Sequence, residues 1–223
     1  MTAVAHPAAG VPHDPPADCR LCPRLADFLA LWREKEPGWH NAPVRSFGPQ
    51  DARLLIVGLA PGLRGANRTG RPFTGDYAGD LLYATLTKFG FAEGQYDARP
   101  DDSLRLTEAA ITNAVRCVPP ENKPTGEEIR TCRQFLNATI DHYSNADAIL
   151  ALGRIAHDSL LRTLGIRLKD APFGHCAVHE LGGGRRLYDS YHCSRYNTNT
   201  GRLTTEMFQA VFERIRADQK MAG

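Results

Sequence analysis

Short apolar runs alternate with longer amphipathic stretches along most of this chain. RLADFLALWREKEP carries Leu25, Phe28, Leu29 and Trp32 at helical spacing and predicts an amphipathic helix closed by Pro37. RLLIVGLAPG reads as a buried strand that runs straight into glycine and proline, and DLLYATLTKFG as the helix after it. AAITNAVRC is a second buried strand, stopped by Pro119 and Pro120. PTGEEIRTCRQFL opens a helix with Thr125 and Glu128 in the register of a capping box. ADAILALG is a third strand, RIAHDSLLRTLG its following helix, and RRLYDSYHC a fourth strand preceded by an edge strand at CAVHEL. The last helix begins near Thr204 and shows Phe208, Val211, Phe212 and Ile215 on one face.

Strands alternating with helices predict an α/β fold in which a parallel sheet is covered on both faces. Ligands of such sheets bind beyond the carboxyl ends of the strands. That rule gathers three segments: the loop GLAPGLRGANRTGRPFTGD (58–76), Asn113 at the end of the second strand, and YHCSRYNTNTG (191–201) after the fourth. The first loop holds five glycines, and its sole carboxylate is Asp76.

Length changes the picture little: 223 residues suit one domain with a substantial core. Residues 1–17, rich in Pro, Ala, Gly and His, read as a flexible tail, leaving 18–223 as the domain. The start lacks a signal-peptide pattern and no apolar run reaches membrane-spanning length, so the expectation is a cytoplasmic, nucleoid-associated monomer without membrane contact. A formal charge of +2 identifies no partner, but arginines cluster at 64, 68 and 71 and again at 195 and 202.

Six cysteines add candidate chemistry. Cys19 and Cys22 have the bite of one metal-ligand pair, while Cys117 leaves a strand and Cys132 lies on the next helix, so four thiolates can converge. Zinc and a [4Fe-4S] cluster both accept four thiolates, and four unrelated buried cysteines is the third reading. The presence of one tight pair rather than two favours the cluster. Cys176 and Cys193 read as ordinary cysteines.

GLAPG (58–62), NRTGRPFTGD (67–76), TNAVRC (112–117), YHCSRYNTNTG (191–201) and the four ordered cysteines together resemble the iron–sulfur uracil-DNA glycosylases, specifically the family-five or B-type branch. The resemblance implies a three-layer sandwich around a parallel four-stranded sheet, a [4Fe-4S] cluster on Cys19, Cys22, Cys117 and Cys132, and a DNA substrate containing uracil or other damaged bases. It implies hydrolysis of the N-glycosidic bond to leave an abasic site. Leu59 and Ala60 stand where sister families place an acidic or amide residue, and Cys193 where many relatives have proline. The KRRIH insertion of covalently trapping relatives does not occur.

On this resemblance, Gly58, Ala60 and Gly62 bring backbone close to the flipped base, Phe73 stacks on it, and Asn113 matches the O4 and N3–H edge of uracil. His192 donates to uracil O2 as the base departs. Asp76 orients water or balances the sugar cation, with helix capping as its rival role. Arg64, Arg68, Arg195, Tyr196, Asn197, Asn199, Thr200 and Arg202 meet DNA, with Arg195 or Tyr196 filling the gap in the stack. The rival functions are a non-catalytic binder of damaged nucleic acid on the same fold, and a zinc-stapled nucleotide hydrolase or phosphate-binding α/β enzyme, which is disfavoured because no P-loop lysine or serine follows the glycines.

Overall fold

The structure is a computed structural model that describes residues 11–221. Helix α1 (Pro23–Lys35) starts with proline at its first position and buries Leu25 and Leu29, one turn apart. Strand β1 (Leu54–Gly58) is buried along its whole length. It leads through the short helix α2 (Ala66–Thr69) to α3 (Tyr77–Lys88), then to a small antiparallel ribbon of β2 (Ala92–Glu93) and β3 (Arg105–Leu106). Strand β4 (Ala109–Asn113) is followed by a 3-10 turn at Pro120–Asn122 and by α4 (Gly126–His142), whose capping box between Thr125 and Glu128 is fully formed. Strand β5 (Ala148–Leu152), helix α5 (Arg154–Thr163), strands β6 (Val178–Gly182) and β7 (Arg185–Ser190), and helices α6 (Arg195–Asn199) and α7 (Thr205–Met221) complete the chain.

The sheet runs β4-β1-β5-β7-β6. Its first four strands are parallel, as the alternating pattern predicted, and β6 adds an antiparallel fifth strand at the edge. The edge strand expected at CAVHEL is β6, which makes the sheet five-stranded where the resemblance implied four; it returns to β7 through Gly182, Gly183 and Gly184, all left-handed, with a register shift between Glu180 and Gly182. Alternate strand residues face opposite layers. Leu54 and Ile56 pack with Leu82, Leu86, Phe208 and Phe212 of α3 and α7, while Leu55 and Val57 pack with Leu136, Ile140 and Leu160 of α4 and α5. Each fully buried side chain of this size contributes about 1.5–3 kcal/mol.

The proposed tail boundary shifts. Residues 1–10 lie outside the described residues, but 11–17 pack against the domain. The fully buried Arg116 donates from Nη1 to Asp14 Oδ1 at 2.7 Å and from Nη2 to the His13 carbonyl at 3.1 Å. The His13 ring stacks on His142 with centroids 3.8 Å apart. A buried guanidinium needs an anion, and Asp14 supplies it across a sequence separation of 102 residues. Among the described residues, no helix is long and apolar enough to cross a membrane.

Candidate active site

A cavity of about 640 Å³ opens beyond the carboxyl ends of β1, β4 and β7. Gly58 at the end of β1 is paired in register with Asn113 at the end of β4. A Cβ on Gly58 would sit 2.5 Å from Asn113 Oδ1 and 2.8 Å from Phe73 Cζ, so only glycine lets these side chains meet over the strand end. Asn113 is 3% exposed and lines the cavity.

Phe73 is held in a left-handed conformation, φ +52°, which a bulky residue adopts only under external constraint. The constraint comes from both sides. Arg71 donates from Nε to Thr74 Oγ1 and from both terminal nitrogens to Asp102, all at 2.7 Å. Its guanidinium lies over the rings of Phe47, Tyr83 and Tyr96. The Tyr96 hydroxyl donates to the Phe73 carbonyl at 3.1 Å. Arg71 is therefore a buried brace for the aromatic residue two places on, not part of a surface arginine cluster as its neighbours suggested.

His192 follows β7 and forms the opposite wall, its ring stacked on Phe73 with centroids 5.9 Å apart. Burial pushes its imidazole down to about 4, so the ring is neutral at neutral pH. Phe73, Asn113 and His192 thus converge from the three segments named from the sequence.

Asp76 lines the same cavity and also caps α3: Oδ1 accepts from the Gly79 N–H at 3.3 Å. Oδ2 faces Gly65 and Gly62, where a Cβ on Gly62 would lie 3.1 Å away and one on Gly65 would collide with the carboxylate. Capping and cavity-facing roles fall to different oxygens of one group. Burial raises the Asp76 pKa and the charge of Asp80 adds to the rise, while the Gly79 and Ala78 N–H groups oppose it.

Leu59, Ala60, Gly62 and Arg64 also line the cavity. So does Asn122, which the sequence reading did not single out. It reaches the rim because Glu121 and Asn122 take consecutive left-handed conformations, φ +55° and +58°. The signal available beforehand was an asparagine, tolerant of that region, just after two prolines.

Beyond His192, Ser194 caps α6 and the Asn197 amide donates to the His192 carbonyl at 2.8 Å. Thr200 Oγ1 donates to the Tyr196 carbonyl at 2.8 Å. Both side chains, which the sequence places among the phosphate contacts, bond within the loop, as an exposed single turn of helix requires. Arg195 lies over the Tyr77 ring at 5.3 Å and lines the cavity, and Arg202 lies over Tyr191 at 4.7 Å. Tyr196 is 72% exposed. Arg64, Arg68 and Asn199 are exposed too, with Arg68 Nε bonded to the Arg64 carbonyl at 2.9 Å.

A second, much tighter cavity is lined by Cys19, Cys22, Cys117 and Cys132, with Leu25, Val115 and Phe135 around them. Burial pushes the Cys22 thiol up to about 11, and the nearby Cys132, Glu128 and Cys19 push the same way. Cys117 and Cys132 are raised as well, again mainly by burial. The only three or more ligating side chains with their donor atoms within 4.8 Å of one another, among the described residues, are His157, His179 and Asp189, so no three of these four sulfurs are that close. Tetrahedral zinc with bonds of about 2.3 Å requires sulfurs about 3.8 Å apart. The wider ring of thiols suits a cluster in which each sulfur takes its own iron.

The sequence family described as the Uracil DNA glycosylase superfamily matches residues 45–216. The chain is 47% identical over 215 residues to a type-5 uracil-DNA glycosylase of Thermus thermophilus, covering 92% of this chain and 94% of that one. It is 43% identical over 221 residues to a type-5 uracil-DNA glycosylase of Mycobacterium tuberculosis, covering 92% of this chain and 78% of the relative. A type-4 uracil-DNA glycosylase of Thermotoga maritima matches at 39% over 110 residues, 49% of each chain. On these likenesses, which cover most of its length, the chain belongs to the uracil DNA glycosylase superfamily, in its type-5 branch.

Proposed function

We propose that this protein hydrolyses the N-glycosidic bond of uracil in DNA, leaving an abasic site. The observation that carries the reading is the meeting of Phe73, Asn113 and His192 on one cavity beyond the sheet, beside a buried carboxylate. The names of the type-5 relatives support it.

A base leaves the DNA stack at a cost of a few kcal/mol, which the pocket must offset. Phe73 stacks on the extruded base, and its braced backbone keeps the ring from following the base out. Asn113 presents a donor and an acceptor in one plane, matching the O4 and N3–H edge of uracil and opposing the reversed pattern of cytosine. As the bond between the sugar carbon and the base nitrogen breaks, negative charge gathers on the base. Neutral His192 donates a hydrogen bond to O2 and stabilises that charge without giving up its proton, an interaction stronger in the transition state than in the ground state. The ionised Asp76 oxygen that faces the cavity balances the sugar cation or orients the water, whose oxygen bonds to the sugar carbon while its proton passes to the departing base. No cavity-lining residue is a lysine, so the amine needed for a strand-cleaving lyase step is missing from the lining. The apolar Leu59 and Ala60 leave room for other deaminated or exocyclic bases.

Cys19, Cys22, Cys117 and Cys132 would hold a [4Fe-4S] cluster in this reading, which would cross-link the segment leading into α1, the segment after β4, and α4. Arg64, Arg68, Arg195 and Arg202 meet phosphates, and exposed Tyr196 fills the vacated stack.

Incubation with a uracil-containing duplex followed by alkali tests the activity. Strand scission at the uracil is the expected result, and a gel shift without scission would leave only the non-catalytic binder.

A further inference from the structure

Behind the strand end that leads to His192 lies a closed set of polar groups with no part in the reading above. His157, in the first turn of α5, is 1% exposed, and Asp189 on β7 is fully buried. His157 Nδ1 is 2.7 Å from Asp189 Oδ1 and Nε2 is 2.9 Å from the Ala171 carbonyl. Asp189 Oδ2 takes the Gly174 N–H at 3.4 Å and faces His179 Nε2 at 3.3 Å. A carbonyl oxygen only accepts, so Nε2 faces Ala171 as a donor, and toward the Asp189 carboxylate Nδ1 is the donor as well. These contacts are those of an imidazolium with a proton on each ring nitrogen.

This pair sits where three segments meet. Asp189 lies three residues before His192. The residue before α5, Gly153, donates its N–H to the Ser190 carbonyl at 2.8 Å, and a Cβ there would lie 3.5 Å from His192 Cβ. On the other side, the loop bearing Ala171 and Gly174 continues to His175, whose Nδ1 accepts from the Tyr191 N–H at 3.2 Å. The His192 ring stacks on Phe73, and among the described residues its ring nitrogens make no protein hydrogen bond to orient it further. Its position rests on backbone that the pair ties together.

We propose that His157, as a buried imidazolium paired with Asp189, is a positioning residue for His192, locking α5, the end of β7 and the 171–175 loop into the arrangement that aims the His192 ring into the base cavity. The proposal rests on the glycosylase reading of His192. Burial alone would lower the basicity of His157, but the bond and charge of Asp189, the Ala171 carbonyl and Asp158 outweigh it and raise the pKa. His179 on β6 is the remaining titratable group facing the pair.

The test uses the full chain. Nitrogen-15 NMR of the histidines, with His157 assigned by its loss in His157→Gln, should show both ring nitrogens protonated at about pH 7.5, where a free imidazole is about nine-tenths neutral. A misplacement of about 1 Å costs about 10²-fold in rate, so single-turnover uracil release should fall roughly 10- to 100-fold in His157→Gln while duplex affinity stays within about twofold. Asp189→Asn should be slower still, and the double variant, which removes both charges, should recover part of that loss. A singly protonated His157 would overturn the proposal even if the variants fail to fold. So would an unchanged rate in His157→Gln, or one zinc per wild-type chain that is lost in that variant. His192→Ala in the same assay separates the failures: a normal rate there sinks the site reading, whereas a slow His192→Ala beside a normal His157→Gln sinks only the positioning role.

Discussion

The base cavity takes Asn113 from the end of β4 and the cysteine cavity takes Val115 and Cys117 from the segment just after it, yet the two are finished in opposite ways. The base cavity is open, and Asn113 and His192 direct polar atoms into it. The cysteine cavity is closed, walled by Leu25, Val115 and Phe135, and its thiols are driven toward the protonated form by burial and by each other. On the proposed function, the first site serves a ligand that comes and goes, whereas the second would hold its four sulfurs as thiolates only with a compensating metal centre, since burial otherwise keeps them protonated. Damage to the first should therefore appear in rate, and damage to the second in stability.

The largest expected effect is on rate. His192→Ala should lower uracil release by about 10²–10³, the usual loss for one preorganised donor, with melting temperature and brown colour retained. A matching loss of colour would erase the distinction between the cavities. Asn113→Ala should lower turnover by at least about tenfold and narrow the preference for uracil over cytosine, checked by competing the two substrates. Cys132→Ser should instead lose iron and several degrees of melting temperature, measured by iron content and calorimetry, with the rate falling only in proportion to folded protein.

Smaller effects sharpen the contrast through pH. Because burial raises the Asp76 pKa above 3.8, uracil release should fall on acidification from a higher pH than an ordinary carboxylate would give. His192, neutral above about 4, should not set that limb. The His157 shift has the opposite consequence for stability. Its folded pKa lies above 6.5, so the stabilisation is complete below 6.5 and is lost as pH rises through the folded value. A melting temperature that climbs from neutral to alkaline pH would contradict that sign. The least effect is expected at the rim, where Arg195→Ala should reduce the salt dependence of duplex binding by about one phosphate contact.

How much of this was legible in the sequence depends on the range over which each feature is specified. Strands and helices with clear periodicity were readable, and the rule that ligands sit at strand ends brought Phe73, Asn113 and His192 together. Asp76 could be placed as cap or catalyst but not as both, since the division between Oδ1 and Oδ2 exists only once Gly62 and Gly65 close over it. The β2–β3 ribbon escaped notice because strands of two residues carry no periodicity, and with it went Tyr96 and Asp102, which fix Phe73. Asp14 read as tail because its partner Arg116 lies a hundred positions away, and nothing in the sequence singles out His157 because Asp189, its partner, lies 32 positions away on a strand.

The bond from the Asn197 amide to the His192 carbonyl ties the exposed turn to the backbone of the histidine. Tyr196, standing free one residue earlier, is the part that a bent duplex would push first. If Tyr196 meets the duplex as proposed, that one turn of helix and the Asn197 bond link its seating to the backbone that carries the His192 ring.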